Sequence, residues 1–246
     1  MMCDPFTDVE RAILQIKGEL PRRLVVIAGP SGVGKNTIIK ELLASHPRIM
    51  DRVRTYTTRP RRDDEVDGEQ YYFVTREQFM KMAEDYLLME ADPQNKLGHD
   101  VYGTEHSYSM PADIFENVSP EAHIIIAEVD VVGADRLKER FPDCVRIFIT
   151  APPQELLERI RSRPDGDMSS ENLGQRMQTA KQQIAAAKDF DYVVYNTEGH
   201  LTQTVSALRH ILHAERMRVV EGFDLAGVLP AGAFDATLAP EKPREP

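Results

Sequence analysis

The stretch Leu24–Leu43, LVVIAGPSGVGKNTIIKELL, predicts a buried strand, a glycine-rich turn and an amphipathic helix in that order. Gly29, Gly34 and Lys35 fit the spacing G-x-x-x-x-G-K of a phosphate-binding loop, or P-loop. Glycine lets backbone N–H groups approach phosphate oxygens without a Cβ in the way, and the helix start adds unpaired N–H donors. The spacing therefore predicts a phosphate site, with Lys35 as a mobile point charge for the outer phosphates.

The residue after the lysine departs from this pattern. The motif normally continues with Ser or Thr, whose hydroxyl reaches a magnesium ion, but here Asn36 stands there, followed by Thr37. An amide carbonyl still binds a hard cation or its water shell, so Asn36 is the candidate Mg²⁺ ligand. The alternative is a glycine-rich turn that binds nothing. The apolar strand before the turn and the helix after it favour phosphate binding.

The composition of the whole chain argues against several classes of protein. With 246 residues, 41% of them hydrophobic and 28% charged, the chain can bury a sizeable core. Its formal net charge of −10 argues against a nonspecific nucleic-acid binder. No apolar run approaches the roughly 20 residues that cross a bilayer, and the N-terminus lacks the order of a secretion signal. Two cysteines without metal-like spacing indicate a reducing cytoplasm. We expect no nucleic-acid or membrane partner, and the oligomeric state stays open.

A group of arginines follows the first helix of this acidic chain: Arg52, Arg54, Arg59, Arg61 and Arg62. Clustered guanidinium groups repel one another unless an anion neutralises them, and arginine makes forked contacts with phosphate oxygens. The alternative is a solvated basic face that Asp63, Asp64 and Glu65 balance. Because a P-loop precedes the cluster, a second phosphate site is favoured.

The remaining pattern predicts alternating strands and helices. Asp67–Gly68 is typical of a hairpin turn before a strand at Tyr71–Val74. Ile124–Val129 is apolar enough for a central parallel strand, and Glu128 and Asp130 stand at its carboxyl end, the edge where open α/β sheets bind ligands. These acids are candidates for holding magnesium through water or for orienting the arginines. Further elements are predicted at Asp8–Leu20, Ala134–Arg140, Val145–Thr150, Pro153 onward, Leu173–Asp189, Tyr192–Tyr195 and Leu201–Val220.

Around the arginine cluster the sequence resembles the guanylate kinase family. Its signature T-T-R-x-P-R-x-G-E-x-[DN]-G-x-x-Y-x-F is similar to Thr57–Thr58–Arg59, Arg62, Glu65–Val66–Asp67–Gly68 and Tyr71–Tyr72–Phe73. The similarity continues through Glu90, Tyr102–Gly103–Thr104, Glu128–Val129–Asp130, Arg159, Arg163, Arg176 and Tyr192–Asn196. It covers about residues 24–219, and several motifs in the family's order are a far more specific signal than a lone P-loop.

The resemblance implies an α/β fold: a three-layer P-loop kinase core with a central parallel sheet, a small GMP-binding insertion with mixed or antiparallel strands, and a helical lid. It implies a domain at 22–220, with the core at 22–50 and 105–220, the GMP-binding insertion at 51–104 and the lid at about 163–173. Residues 1–21 would form an N-terminal arm and residues 221–246 a mostly disordered tail. The implied reaction is ATP + GMP giving ADP + GDP, with Mg²⁺ as cofactor and dGMP as a further acceptor.

The resemblance also implies roles for individual residues. The catalytic cations are Lys35, Arg59, Arg159, Arg163 and Arg176. The ATP contacts come from Gly29, Pro30, Ser31, Gly32, Val33, Gly34, Lys35, Asn36, Thr37 and Asn196. The GMP contacts come from Thr55, Arg59, Arg62, Tyr71, Glu90, Tyr102, Thr104 and Asp130.

Among these residues, Glu90 would distinguish guanine from adenine. A carboxylate accepts the ring N–H and the exocyclic amine of guanine together. Adenine has an acceptor at that ring nitrogen and would leave the carboxylate unpaired. The alternative for Glu90 is an exposed residue at the end of a strand.

Three residues depart from the family pattern. Val53 stands where the family has a Ser that helps to recognise the base, Asn36 replaces the P-loop hydroxyl, and Asp64 replaces a Gly. Two alternatives stay open beside a guanylate kinase. One is a related kinase that phosphorylates ribose bisphosphate, and the other is an inactive guanylate-kinase-like module that binds peptides. The features that favour guanylate are the stretch Glu65–Gly68, Tyr71 and Glu90, and the complete P-loop argues against the inactive module.

Overall fold

A computed structural model of the chain describes residues 22–63, 65–85, 88–89, 99–100, 106–115, 118–161 and 170–218. Several predicted features lie outside these residues: the helix Asp8–Leu20, the lid residues 163–169, the tail 221–246, and the site residues Glu90, Tyr102, Thr104 and Arg163. The stretch Arg22–Met217 forms one compact unit.

The described residues form nine strands and six α-helices. The strands are β1 (Arg23–Ala28), β2 (Met50–Arg52), β3 (Thr55–Thr57), β4 (Tyr71–Phe73), β5 (His99–Asp100), β6 (Ser107–Ser109), β7 (Ile124–Glu128), β8 (Val145–Thr150) and β9 (Tyr192–Tyr195). The helices are α1 (Lys35–Ser45), α2 (Arg76–Glu84), α3 (Val131–Arg140), α4 (Pro153–Arg161), α5 (Ser170–Ala185) and α6 (Leu201–Met217). A 3₁₀ helix (Ala186–Asp189) follows α5.

Five strands form a parallel sheet in the order β2–β7–β1–β8–β9. Successive side chains of a strand point to opposite faces, and both faces of this sheet are covered by helices. One face packs against α1 and α6 through Val25, Ile27, Ile126, Ile38, Ile39, Leu42, Leu208 and Leu212. The other face packs against α3 through Leu24, Val26, Ile125, Ala127, Ala134 and Leu137. The predicted three-layer core with a central parallel sheet is confirmed.

A second sheet has the order β4–β3–β6–β5 and mixed directions, as expected for the insertion. Strand β3 pairs with β4 in parallel and with β6 antiparallel, and β5 pairs with β6 antiparallel. The two sheets do not divide at residues 51 and 104, where the insertion was predicted to begin and end. Strand β2 belongs to the central sheet, and β6 (Ser107–Ser109) belongs to the second sheet because its backbone pairs with β3.

The predicted hairpin turn at Asp67–Gly68 is wrong in one respect. A turn exists there, since Gly68 has a φ of +83° and its N–H donates to the carbonyl oxygen of Tyr71 at 2.8 Å. However, β3 and β4 run parallel, so the chain must cross back over residues 58–70 before β4 begins. This crossing segment contains most of the arginine cluster.

Two helix ends also differ from the sequence prediction. Helix α3 begins at Val131 instead of Ala134, because the carboxylate of Asp130 accepts a hydrogen bond from the N–H of Gly133 at 2.8 Å and caps the helix. The predicted helix to Asp189 ends as α5 at Ala185 and continues as a 3₁₀ turn. Within the described part of the chain, none of the helices combines the length and the apolar character needed to span a bilayer.

Candidate active site

The glycine-rich loop connects β1 to α1 at the carboxyl edge of the central sheet. Gly29 has a φ of +150°, and a Cβ at this residue would lie 2.0 Å from the carbonyl oxygen of Ile149 on β8. Gly34 has a φ of +93°, and a Cβ there would lie 2.7 Å from Nδ2 of Asn196. Packing inside the protein therefore requires both motif glycines, in addition to the close approach that a phosphate would need.

The lysine of the motif lies over its own loop. Nζ of Lys35 donates to the carbonyl oxygen of Gly29 at 2.9 Å and to that of Pro30 at 3.4 Å. A cation is thus held at the open side of a backbone turn, as the predicted phosphate site requires. The other predicted loop residues differ in exposure: Val33 is buried, Ser31, Gly32 and Gly34 are partly exposed, and Asn36 and Thr37 are exposed on the first turn of α1.

Two residues from later elements support the middle of the loop. The carbonyl oxygen of Val33 accepts hydrogen bonds from Nδ2 of Asn196 at 2.8 Å and from Nη1 of Arg159 at 3.5 Å. Arg159 is oriented by an ion pair with Glu155, one helical turn earlier, at 3.0 Å. Asn196 in turn accepts from Oγ1 of Thr204 at 3.3 Å. Asn196, predicted to contact ATP, and Arg159, predicted as a catalytic cation, therefore both lie at the loop, while their roles toward ATP stay a prediction.

Arg59 is the most closely held arginine of the second predicted site. Its Nη2 donates to both carboxylate oxygens of Glu65, at 2.7 and 2.9 Å, and its Nε donates to the hydroxyl of Tyr108 at 3.2 Å. The guanidinium carbon lies 5.6 Å from the ring centroids of both Tyr71 and Phe73. The arginine is therefore preorganised among two tyrosines, a phenylalanine and a carboxylate.

Glu65 is a buried residue that makes several contacts with the neighbouring arginines. Its side chain is buried, and its carboxylate also accepts a hydrogen bond from the backbone N–H of Arg62 at 2.9 Å, while its carbonyl oxygen accepts from Nη1 of Arg61 at 2.6 Å. Burial acts to raise the pKa of Glu65, but hydrogen bonds from Arg59 and from the backbone of Arg62 outweigh it and hold the pKa below the ordinary value. Glu65 is thus an internal anchor and not part of a solvated acidic balance.

Replacing Glu65 with glutamine should make the stability of the protein less sensitive to acid. Because the folded pKa of Glu65 lies below its unfolded value, ordinarily 4.5, the carboxylate stabilises the fold above that value. This contribution disappears as the pH falls through the folded pKa. The melting temperature, measured by calorimetry from about pH 7 to about pH 3, should fall more steeply for the wild type than for Glu65→Gln. Exposed Glu69→Gln serves as the control, and parallel curves for wild type and Glu65→Gln would contradict this role.

Tyr71 on β4 and Tyr108 on β6 both contact Arg59. Their rings meet edge to face with centroids 6.1 Å apart, and Thr55 pairs with Tyr71 across β3 and β4. Burial raises the pKa of Tyr71, and the negative charge of Glu128 on β7 raises it further. The hydroxyl of Tyr71 therefore stays protonated at neutral pH and is available as a hydrogen-bond donor.

Tyr108 contacts the predicted site residue Arg59, and the sequence prediction did not single it out. The prediction took Tyr102, outside the described residues, as the second tyrosine because Tyr102–Gly103–Thr104 reads like the family motif. The alternation Ser107, Tyr108, Ser109 directly before Met110 is a weak signal for a short strand, and it is the pattern that indicates this residue.

Glu128 lies at the end of β7, level with Ile27 of β1 in the parallel register. Its Oε2 accepts from Nη2 of Arg52 at 3.1 Å, and the two side chains are only 12% and 8% exposed. One of the clustered arginines is thus held by this acid, while its predicted roles, holding magnesium or orienting the acceptor-site arginines Arg59 and Arg62, stay predictions. Asp130 caps α3, and its contact with a bound base stays a prediction.

The structure gives fewer contacts for the remaining predicted cations, Arg62, Arg163 and Arg176. Nη1 of Arg62 lies 3.9 Å from Oε1 of Glu65, and its side chain is 37% exposed. Arg176 lies on α5, with its side chain outside the description, and Arg163 is not among the described residues.

Comparisons with known proteins show which family the chain resembles. A family model described as guanylate kinase matches residues 21–215. A protein of Symbiobacterium thermophilum named guanylate kinase is 38% identical over 199 residues, which cover 80% of this chain and 87% of that protein. A guanylate kinase of Desulfitobacterium hafniense is 38% identical over 197 residues, covering 80% of this chain and 92% of the relative.

The fold is also similar to that of a solved structure. The crystal structure of guanylate kinase from Anaplasma phagocytophilum matches with a TM-score of 0.63 and 22% sequence identity, covering 88% of this chain and 97% of that one. The P-loop, the arginine segment and the sheet order are therefore accompanied by similarity along nearly the whole described domain. Because the family model matches most of the chain and the relatives share more than a third of the aligned residues, this chain belongs to the guanylate kinase family.

Proposed function

We propose that this protein transfers the γ-phosphoryl group of ATP to GMP, and also to dGMP, giving ADP and the nucleoside diphosphate. The observation that carries the proposal is that one compact unit holds two groups suited to binding an anion. One is the P-loop with Lys35, and the other is the group of Arg59, Tyr71 and Tyr108. Between the elements that carry them lies Glu128, which pairs in register with Ile27 of β1 and holds Arg52, three residues before β3.

The chemistry needs little from the protein beyond alignment and positive charge. A phosphate nucleophile is already ionised at neutral pH, so no general base is required, and negative charge on the migrating group must be stabilised. Lys35 would hold the outer phosphates of ATP, and Arg59 and Arg62 would hold the acceptor phosphate. Arg159 would act beside the P-loop, with Arg163 and Arg176 as further cations of the lid.

We propose that Mg²⁺ accompanies ATP as its cofactor. Among the residues that the structure describes, no three acidic, histidine or cysteine side chains are gathered into a metal cage. Mg²⁺ needs no such cage, because it keeps several waters and is bound by substrate phosphates together with one or two protein oxygens. Asn36 is exposed on the turn after Lys35 and is the residue that would offer an amide oxygen there. The bound ion would neutralise charge on the transferred group.

The choice of base would depend on residues around the insertion. Glu90 would accept two hydrogen bonds from guanine, and Thr55, Tyr102, Thr104 and Asp130 would complete the acceptor site. Val53 is buried in the core and has no polar group for the base, so discrimination would fall mainly on Glu90.

The test of the proposed function is a substrate panel with the full chain. ADP formation from ATP and Mg²⁺ would be measured with GMP, dGMP, AMP, UMP and CMP as acceptors, and with ribose bisphosphate in the same coupled assay. We expect GMP and dGMP to be used far better than the other nucleotides. Turnover of ribose bisphosphate without turnover of GMP would assign the chain to the related kinase. Failure to bind either ATP or GMP would support the inactive module.

We retain the predicted domain limits of 22–220, flanked by an arm at 1–21 and a tail at 221–246, as part of this proposal. The family match over 21–215 supports these limits.

A cytoplasmic location would suit the substrates, and Cys144 is a buried free thiol. We expect small-molecule partners, ATP and GMP, and neither nucleic acid nor membrane.

A further inference from the structure

Arg52 and Glu128 form an ion pair at the carboxyl edge of the central sheet, where β2 and β7 end. Within the described part of the chain, the hydrogen bond of this guanidinium group is the one from Nη2 to Glu128, at 3.1 Å, and Nε is buried without a partner. The position of this arginine is therefore determined mainly by the acid beside it.

The pair lies on the face of the sheet that carries the P-loop helix. Met50 and Ile126, each two residues earlier on its strand, pack in the same core cluster as Ile38 and Ile39 of α1. Because side chains alternate along a strand, Arg52 and Glu128 continue this face beyond its apolar part. They lie at the carboxyl edge of the sheet, the edge where the phosphate-binding loop follows β1.

The same pair also reaches the acceptor site of the insertion. Arg52 ends β2, and three residues later Thr55 of β3 pairs with Tyr71 of β4. Burial raises the pKa of Tyr71, the charge of Glu128 raises it further and the charge of Arg52 lowers it, in agreement with this short connection. Tyr71 contacts Arg59, the arginine that would hold the acceptor phosphate, so an unpaired negative charge at Glu128 would repel a phosphate dianion bound there.

We propose that Arg52 is a positioning residue for the acceptor nucleotide: it neutralises and holds Glu128, which would otherwise repel the acceptor's phosphate. The inference rests on the proposed function, because it takes a nucleoside monophosphate as the acceptor. Arg52 acts through Glu128 and makes no contact with the substrate. This differs from Arg59 and Arg62, whose proposed role is direct contact with the phosphate.

A double-mutant cycle separates this role from direct binding. The variants are Arg52→Met, Glu128→Gln and the double variant, and isothermal titration calorimetry measures the binding of GMP and, separately, of ATP. Arg52→Met leaves an unpaired carboxylate and should weaken GMP binding about tenfold or more, with a much smaller effect on ATP. Glu128→Gln should bind GMP as tightly as the wild type or more tightly. The double variant should recover most of the loss.

Steady-state kinetics gives a second measurement. For Arg52→Met the KM for GMP should rise by a larger factor than kcat falls, and the double variant should restore KM. Arg146→Met is the matched control, because it removes another arginine of the central sheet that is paired with an acid, Asp135, at 2.7 Å. That variant should change the melting temperature and leave both Michaelis constants near those of the wild type.

Several outcomes would overturn the proposal. If the double variant binds GMP as weakly as Arg52→Met, the arginine contacts the substrate itself or serves only the fold. If Glu128→Gln alone weakens GMP binding, the acid is not a repulsive group, and this variant decides the question even where Arg52→Met does not fold. If the wild type binds GMP without phosphorylating it, the proposed function fails while the binding cycle still tests Arg52. A wild type that does not bind GMP would overturn both.

Discussion

Replacing Lys35 with methionine should lower kcat for the phosphorylation of GMP by about 10²–10³-fold. The ammonium group is held over the P-loop by the carbonyl oxygens of Gly29 and Pro30, at the place where the outer phosphates of ATP would lie. Methionine keeps most of the volume and removes the charge that would follow the migrating phosphoryl group. Because that charge is needed most in the transition state, kcat should fall more than ATP binding weakens. Rapid-quench or coupled assays at saturating substrates measure this change.

The control for this variant is Lys138→Met, which removes another lysine that donates to a backbone carbonyl oxygen, that of Cys144, at 3.0 Å. This control should retain the wild-type kcat. GMP binding by Lys35→Met, measured by calorimetry, should also stay near that of the wild type, since the acceptor arginines are untouched. A Lys35→Met protein with unchanged kcat would show that the loop does not serve catalysis.

Replacing Arg59 with alanine should raise the KM for GMP by about 10- to 100-fold and change the KM for ATP little. Losing a charged hydrogen-bond partner costs about 1.5–3 kcal/mol, and each 1.4 kcal/mol is about tenfold. The same change leaves the carboxylate of Glu65 buried without its closest cation, so the melting temperature should fall as well. Initial rates must therefore be measured well below the melting temperature of the variant.

Two further variants distinguish the loss of the contact from the loss of stability. Arg59→Lys keeps a positive charge near Glu65 but lacks the guanidinium group that can contact two oxygens at once. Compared with Arg59→Ala, it should therefore restore stability more than it restores the KM for GMP. Arg140→Ala removes an arginine that donates to the carbonyl oxygen of Ala112 on another part of the surface, and it should change neither Michaelis constant. Equal increases in the KM for GMP and for ATP would place Arg59 outside the acceptor site.

Most strands of the central sheet could be predicted because each of these is marked by an apolar run in its own stretch of sequence. Buried parallel strands are mostly apolar runs, and the two such strands predicted at Val145–Thr150 and Tyr192–Tyr195 have the limits that the structure shows. The proline at Pro153 likewise marks the first turn of α4. The limits of such elements can be predicted without knowing which strand or helix they pack against.

The second sheet could be predicted only in part because its pairing is long-range. The pattern at Asp67–Gly68 is the same for a hairpin as for a turn that follows a crossing segment, and only the partner of β4 distinguishes them. Tyr108 reaches Arg59 because β6 pairs with β3 across about 50 residues of sequence, a contact that no local window contains. The alternative in which Glu65 helps to balance a solvated basic face stayed open in the sequence, because charge patterning does not show which acid is buried.

The bond from Asn196 to Val33 joins residues 163 positions apart in the chain. On a ribosome, the P-loop sequence therefore emerges long before the residue that supports it, and β9 has to join β8 before Asn196 reaches the loop. A nascent or prematurely terminated chain that ends before this strand would carry the P-loop motif without its support. We therefore expect the support of the P-loop to be complete only after β9 has been synthesised.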